Sequence, residues 1–198
     1  MLSQMLHPIP EYMRLRILAY QPWQERQSKI IGKHLLLMQI KHFDLDLTLS
    51  DLQYTPDNKP YFDAPLDFSI AHSAHIVLCG ATTDYSIGID IEQLSPIEID
   101  HYQDHLTLNE WDIVTKSSDK QKTFYDIWTK KEAMLKATGR GIHIDLNKLD
   151  VSGDSAIFES ISYSFHPVSI AQGYVAHLAT PIPLDQSSLS IECLELFI

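Results

Sequence analysis

The stretch Ser86-Ile87-Gly88-Ile89-Asp90-Ile91-Glu92 alternates strictly, with isoleucine on one parity and Asp90 and Glu92 on the other. Successive side chains of a β-strand point to opposite faces. The isoleucines are therefore expected in a core. Both carboxylates are expected on one solvent-facing side, roughly 7 Å apart along the backbone by strand rise. Carboxylates that close raise each other's pKa unless a cation lies between them. A hard divalent ion such as Mg²⁺, which takes carboxylates together with waters and substrate phosphates, meets that need. Downstream, Trp128-Thr129-Lys130-Lys131-Glu132 adds a third carboxylate, Glu132, with Lys131 beside it and Lys136 one helical turn on. Carboxylates for a metal next to lysines for phosphates suit metal-assisted chemistry on a diphosphate.

Outward from that strand, Phe68-Ser69-Ile70 and His75 to Ala81 read as strands. Thr83-Asp84-Tyr85 reads as a tight turn, so an antiparallel hairpin into Ile87–Ile91 is expected. Upstream, Pro22 precedes a helical pattern from Trp23 to Phe43, with Gly32 allowing close approach to a sheet. Tyr12 to Tyr20 suits a strand or a short helix, Leu49 to Tyr54 a strand, and Thr55 to Pro60 a turn. After Ser95-Pro96 the pattern changes. Ile97 to His105 and Thr107 to Thr115 read as short helices, the second opened by the capping box Thr107-Leu108-Asn109-Glu110. Thr123 to Thr138 is a helix with an apolar stripe of Phe124, Ile127, Trp128 and Leu135, capped by Gly139. Leu149–Val151, Ser160–Phe165, Gly173–Leu178 and Leu189–Leu196 are strand candidates. Each half thus reads as a helix followed by strands. The expected class is α+β, with an N-terminal half 1–95 and a C-terminal half 96–198.

With 198 residues and a formal net charge of −11, the chain is too acidic for non-specific nucleic-acid binding. Neither residues 60–115 nor residues 149–198 contain a Lys or Arg; the basic residues lie between Arg14 and Lys59 and between Lys116 and Lys148. These two regions bracket the acidic middle and could grip an anionic substrate at both ends. The chain shows no long apolar run and no basic segment leading into an apolar one, so neither a membrane span nor a signal peptide is expected. Cys79 and Cys193, far apart in apolar surroundings, suit reduced thiols in a cytoplasmic protein. His101 and His105, at i and i+4, have zinc spacing, but no further ligand motif completes a site, and they read as surface histidines.

Three blocks in order, Phe68-Ser69-Ile70-Ala71-His72-Ser73, Ile87-Gly88-Ile89-Asp90-Ile91-Glu92 and Trp128-Thr129-Lys130-Lys131-Glu132-Ala133 with Lys136 and Gly139-Arg140-Gly141, resemble the signature of the 4′-phosphopantetheinyl transferases. The length and two-half layout resemble the Sfp-type branch. The resemblance implies two similar α/β halves, each a helix on a small, mainly antiparallel sheet, in a pseudo-two-fold arrangement with the active site in the cleft between them. It implies a monomer that uses Mg²⁺ and coenzyme A. The phosphopantetheine arm would pass to a serine of an apo acyl or peptidyl carrier protein, releasing adenosine 3′,5′-bisphosphate.

On that resemblance Asp90, Glu92 and Glu132 are metal ligands, and Glu132 is also the general base toward the serine. Lys136 and His72 contact the coenzyme A phosphates, Lys131 is a further phosphate candidate, and Lys59 lies near the adenosine phosphates. Arg26 and Lys29, with Lys33 behind them, supply basic contacts from the N-terminal helix. Two positions depart from the pattern: Ala71 stands where a serine is common, and Asn58 where a glycine is, though Asn tolerates a left-handed turn. The sequence lacks a G-x-x-x-x-G-K-[ST] or G-x-G-x-x-G phosphate cradle for another nucleotide enzyme. A degenerate member that binds coenzyme A or a carrier without chemistry is the remaining alternative. The retained carboxylates weigh against it.

Overall fold

The computed structural model describes residues 5–141 and 145–192. Helix α1 (Glu11–Leu18) settles the ambiguous opening as helical, burying Met13 and Ile17. Helix α2 (Trp23–His42) follows Pro22 as expected and buries Ile30, Gly32, Leu36 and Ile40. Ile30, Leu36 and Ile40 pack with Leu49, Phe62, Leu66 and Phe68 into the first core. Strands β1 (Gln53–Tyr54) and β2 (Pro60–Tyr61) form a two-residue ribbon. The first half of the strand expected over Leu49–Tyr54 is a 3₁₀ turn, Leu49–Asp51, closed by a Thr48/Asp51 capping box. Asn58 adopts a φ of 64°, the left-handed turn that its short polar side chain permits.

Strands β3 (Asp67–Ser73) and β4 (Ile76–Thr82) form an antiparallel hairpin on which α2 packs. A Cβ on Gly32 would stand 3.0 Å from Ile70 Cγ2, so that glycine sets how closely the helix lies.

Strand β5 (Gly88–Gln93) corrects one expectation: it does not pair with β4. It pairs antiparallel with β8 (Tyr174–Thr180), Asp90 opposite His177, and β8 continues through β7 (Ile161–Pro167) to β6 (Ser155–Phe158). The order is β5-β8-β7-β6. Local turn signals favoured the neighbour in sequence, and the partner came from the far end of the chain.

The two sheets meet along a seam of side chains. Asp67 Oδ2 accepts the Ile87 N–H at 2.8 Å, Ser69 Oγ the Ile89 N–H at 3.0 Å, and Ser73 Oγ the Gln93 N–H at 3.0 Å. The acceptors alternate along β3, so they share one of its faces. Ala71, at the position between Ser69 and Ser73, has no side-chain acceptor to offer Ile91. Behind the seam Ala71, Ile87, Ile89, Ile91, Ala176 and Leu178 form a core of their own.

Helix α3 (Leu108–Lys116) starts on the expected capping box of Thr107 and Glu110. Helix α4 (Lys120–Thr138) ends at Gly139 with φ 71°, as expected, and packs on β5 and β8. Its apolar side joins Leu106, Val114, Tyr163 and Val175 in the remaining core. The segment Ile99–His105 is 3₁₀, so the i,i+4 spacing of His101 and His105 does not put them on one helical face. His105 instead packs its ring near Tyr102 and Trp128.

Strand β6 carried no sequence expectation, and Leu149–Val151 is not a strand. Residues 189–192 are also outside any strand; residues 193–196 of that candidate, and Cys193, lie outside the described residues. Cys79 is free and half-buried, its thiol pushed up to about 12 by burial. Among the described residues no helix is long and apolar enough to cross a membrane.

Candidate active site

The alternation in β5 does what it was expected to do on one face and something different on the other. Ile87, Ile89 and Ile91 are buried at the seam. Gly88, Asp90 and Glu92 face α4, not open solvent. A Cβ on Gly88 would collide with the backbone of Ala133 and Ala137, so this glycine is what lets the helix lie on the strand. Asp90 is only 6% exposed under the helix, which corrects the expectation of a solvent-facing carboxylate.

Asp90 Oδ1 pairs with Lys136 Nζ at 2.6 Å. Its other oxygen, Oδ2, is buried without a hydrogen-bond partner among the described residues. Glu92 Oε2 accepts the Ser73 hydroxyl at 2.9 Å. Burial raises the pKa of Asp90, with Lys136 opposing. Burial also raises Glu92 and Glu132; Asp90 repels both of them, and Glu132 adds to the repulsion on Glu92. Three carboxylates thus share one buried electrostatic neighbourhood.

Lys59 Nζ reaches Asp67 Oδ2 at 2.9 Å and the Ala137 carbonyl at 3.4 Å, so the β1–β2 turn is tied to both β3 and α4. Lys59, Pro60, Phe68, Ile70, Glu132 and Lys136 line a cavity of about 290 Å³, to which Gly139 and Gly141 also contribute. His72 lies 3.8 Å from Glu25 through Nε2. Burial holds its pKa below the usual range, helped by Lys29 and Lys136 and opposed by Glu25 and Asp90. Lys29, on α2, stands 5.8 Å over the Tyr20 ring. Lys33 is lowered by burial and by Lys29. Arg26 is half-buried on the same helix.

Asp90, Glu92, Glu132 and Lys136 thus act on one another electrostatically, His72 is felt by Asp90 and Lys136, Lys29 reaches His72, and Lys59 lines the same cavity as Glu132 and Lys136. Lys131 is not among them. It is fully buried on another side of α4, paired with Glu110 at 2.8 Å, so the phosphate role expected for it is withdrawn. A helix turns about 100° per residue, so neighbours in sequence face different ways.

Sequence reasoning passed over Ser73 and Asp67. Ser73 is the partner of Glu92. The signal that could have found both is the polar parity Asp67-Ser69-Ser73 within β3.

Among the described residues no three His, Cys, Asp or Glu side chains are grouped as a ready-made metal site. The donor chemistry nevertheless fits a hard cation. All three carboxylates offer oxygen, Asp90 Oδ2 is buried and unmet, and burial, with repulsion between neighbouring carboxylates, raises their pKa values. Mg²⁺ keeps several waters and needs only one or two carboxylates.

The description of the 4′-phosphopantetheinyl transferase superfamily matches residues 86–179. A Synechocystis sp. protein provisionally named a 4′-phosphopantetheinyl transferase is 30% identical over 186 residues, 85% of this chain and 70% of that one. The chain belongs to the 4′-phosphopantetheinyl transferase superfamily. Two named transferases of that superfamily match a shorter stretch. The gsp protein of Aneurinibacillus migulanus is 37% identical over 92 residues, and Sfp of Bacillus subtilis is 35% identical over 86 residues. Those alignments cover 45% and 42% of this chain and 38% of each relative. Asp90, Glu92, Glu132 and Lys136 fall inside the superfamily match, whereas Arg26, Lys29, Lys59 and His72 precede it.

Proposed function

We propose that this chain transfers the 4′-phosphopantetheine arm of coenzyme A to a serine hydroxyl of an apo acyl or peptidyl carrier protein. The observation that carries the reading is the cavity itself: Lys59 and Lys136 line it together with Glu132, and Asp90, with its unmet buried oxygen, lies beneath Lys136. A ligand carrying phosphates and accompanied by a cation would satisfy both halves of that arrangement at once.

In the reaction the serine oxygen forms a bond to the β-phosphorus of coenzyme A. The bond from that phosphorus to the bridging oxygen breaks, and adenosine 3′,5′-bisphosphate leaves. Positioning and charge neutralisation supply most of the catalysis in phosphoryl transfer. Glu132 accepts the serine proton, directly or through one water. Lys136 turns from Asp90 to a phosphate oxygen as negative charge develops there, and Lys59, His72, Lys29 and Arg26 hold the remaining phosphates. Asp90, Glu92 and Glu132 would hold Mg²⁺, which neutralises the diphosphate when bound. The reading takes the chain as a cytoplasmic monomer of two halves, 1–95 and 96–198. The cavity then lies in the cleft between them, since Lys59 and Phe68 come from one half and Glu132 and Lys136 from the other.

The test is incubation of the protein with coenzyme A, Mg²⁺ and a panel of apo carriers, read by mass spectrometry. Gain of about 340 Da by a carrier, the mass of one transferred arm, is expected. No mass gain on any carrier, with coenzyme A binding intact, would reverse the reading in favour of a non-catalytic binder. Dephospho-coenzyme A sharpens the map: alanine at the residue that holds the 3′-phosphate should raise KM for coenzyme A but not for this analogue.

A further inference from the structure

Lys131 and Glu110 are both 0% exposed, and their Nζ–Oε2 contact is 2.8 Å. Neither lines the cavity. Glu110 also accepts the Thr107 N–H at 2.8 Å and, through Oε1, the Val151 N–H at 2.9 Å. Lys131 also donates to the Leu146 carbonyl at 2.8 Å and to that of Leu149. All three ammonium donors and both carboxylate oxygens are therefore in use. The pair joins the start of α3, the middle of α4 and the segment 146–151.

A buried ion pair is an expensive way to hold a core together. Breaking one partner is strongly destabilising, yet replacing both by neutral groups of similar volume is often without cost. Stability alone does not call for charge here. What charge adds is direction: an ammonium with three fixed acceptors permits one rotation and one axial position of its helix.

Lys131 immediately precedes Glu132, and Lys136 lies a little over one turn further on. On the β5 side α4 is held by its backbone contact with Gly88. Away from that strand it is held by Glu110 and the two carbonyls. The segment carrying those carbonyls comes a few residues after Gly139 and Gly141, which line the cavity.

We infer that the Glu110–Lys131 pair is a positioning device for the proposed reaction, holding α4 in the register that keeps Glu132 and Lys136 directed at Asp90. The inference rests on the transfer reading given above. It assigns to the pair no contact with coenzyme A or carrier; it acts through the helix.

The test is the double variant E110Q/K131M, which removes both charges, nearly keeps the volumes and leaves Val151 an acceptor. Expected are a Tm within a few degrees of wild type and a KM for coenzyme A within about threefold. A kcat lower by about tenfold or more is expected, since small misplacements far from the chemistry are costly to rate. A folded double variant with kcat within about twofold of wild type overturns the inference. If the double variant does not fold, Lys131→Arg, which keeps the charge but not the three-acceptor geometry, is read by the same criteria. Should the wild-type protein transfer nothing, the transfer reading fails separately, and the crystal structure of the folded variant decides the positioning claim. Separation of Lys136 Nζ from Asp90 Oδ1 beyond 3.5 Å supports it, and an unchanged contact of 2.6 Å overturns it.

Discussion

Two sides of helix α4 each present a lysine to a carboxylate from another element, and they are built to opposite ends. On one side Lys131 meets Glu110 with every donor and acceptor satisfied and no solvent. On the other Lys136 meets Asp90, but one carboxylate oxygen is left unmet, the lysine is 30% exposed, and Glu92 and Glu132 add like charge nearby. The first pair is complete without any ligand. The second is short of positive charge until something else arrives. On the proposed reading, incompleteness, not charge or burial, separates the pair at the site from the structural one.

The sharpest way to break the comparison is to remove each lysine in turn. Lys131→Met leaves Glu110 buried and unpaired and should cost about 4 kcal/mol, a fall in Tm of roughly 8–16 °C. Lys136→Met should cost far less, because its partner sits in a site that already tolerates an unmet oxygen. Thermal unfolding of the two variants side by side reads the difference; equal losses would erase it.

A second consequence lies next to the open pair. His177, opposite Asp90 across the β5–β8 ladder, bonds Thr129 on α4 at 2.8 Å through Nδ1. Burial holds it neutral, its pKa lowered to about 4. A depressed histidine contributes stability that is full above pH 6.5 and is lost as pH falls through about 4. That window is worth roughly 3 kcal/mol. His177→Asn should flatten the slope of stability against pH over it, measured by urea unfolding, whatever its effect at neutral pH. An unchanged slope would mean the imidazole is already charged.

The carboxylate cluster has the opposite sign. Asp90, Glu92 and Glu132 are all raised, so their contribution is full at low pH and is lost as pH rises through their folded values. Mg²⁺ should restore it where they are ionised. At about 100 times its Kd the ion is expected to add about 2.7 kcal/mol. The Tm gain should be larger at pH 7.5 than at pH 5, and absent in Asp90→Asn. A gain that does not depend on pH would point to a site elsewhere.

The smallest stability effect belongs to the most damaging change for activity. Asp90→Asn removes a buried charge whose desolvation outweighs its partner, so stability should move by less than about 1 kcal/mol in either direction. Carrier modification, in contrast, should drop at least about a hundredfold, the scale of losing a group that stabilises transition-state charge. Retained activity in this variant would remove Asp90 from the site.

Much of this was legible in order along the chain. The capping box at Thr107, the stop at Gly139, the helix after Pro22 and the buried parity of Ile87, Ile89 and Ile91 all follow from local rules, and all appear in the structure. So does the left-handed turn at Asn58. Local rules fail where a partner is remote. Turn residues between β4 and β5 made a hairpin the natural reading, but a strand buried on one face by isoleucines takes whichever edge covers it best, and that edge was β8.

The same division runs through the site. Periodicity and composition by themselves determined that Asp90 and Glu92 share a face, that Glu132 and Lys136 lie one turn apart on a helix, and that basic residues bracket the acidic middle. Only tertiary structure decided that Asp90 is covered by α4, that Lys136 answers it, and that Lys131 turns away to Glu110. A strand or helix fixes the direction of its own side chains through short-range geometry. Whether a charge is met, left unmet or sealed in depends on what packs against it, and that is settled only when distant segments come together.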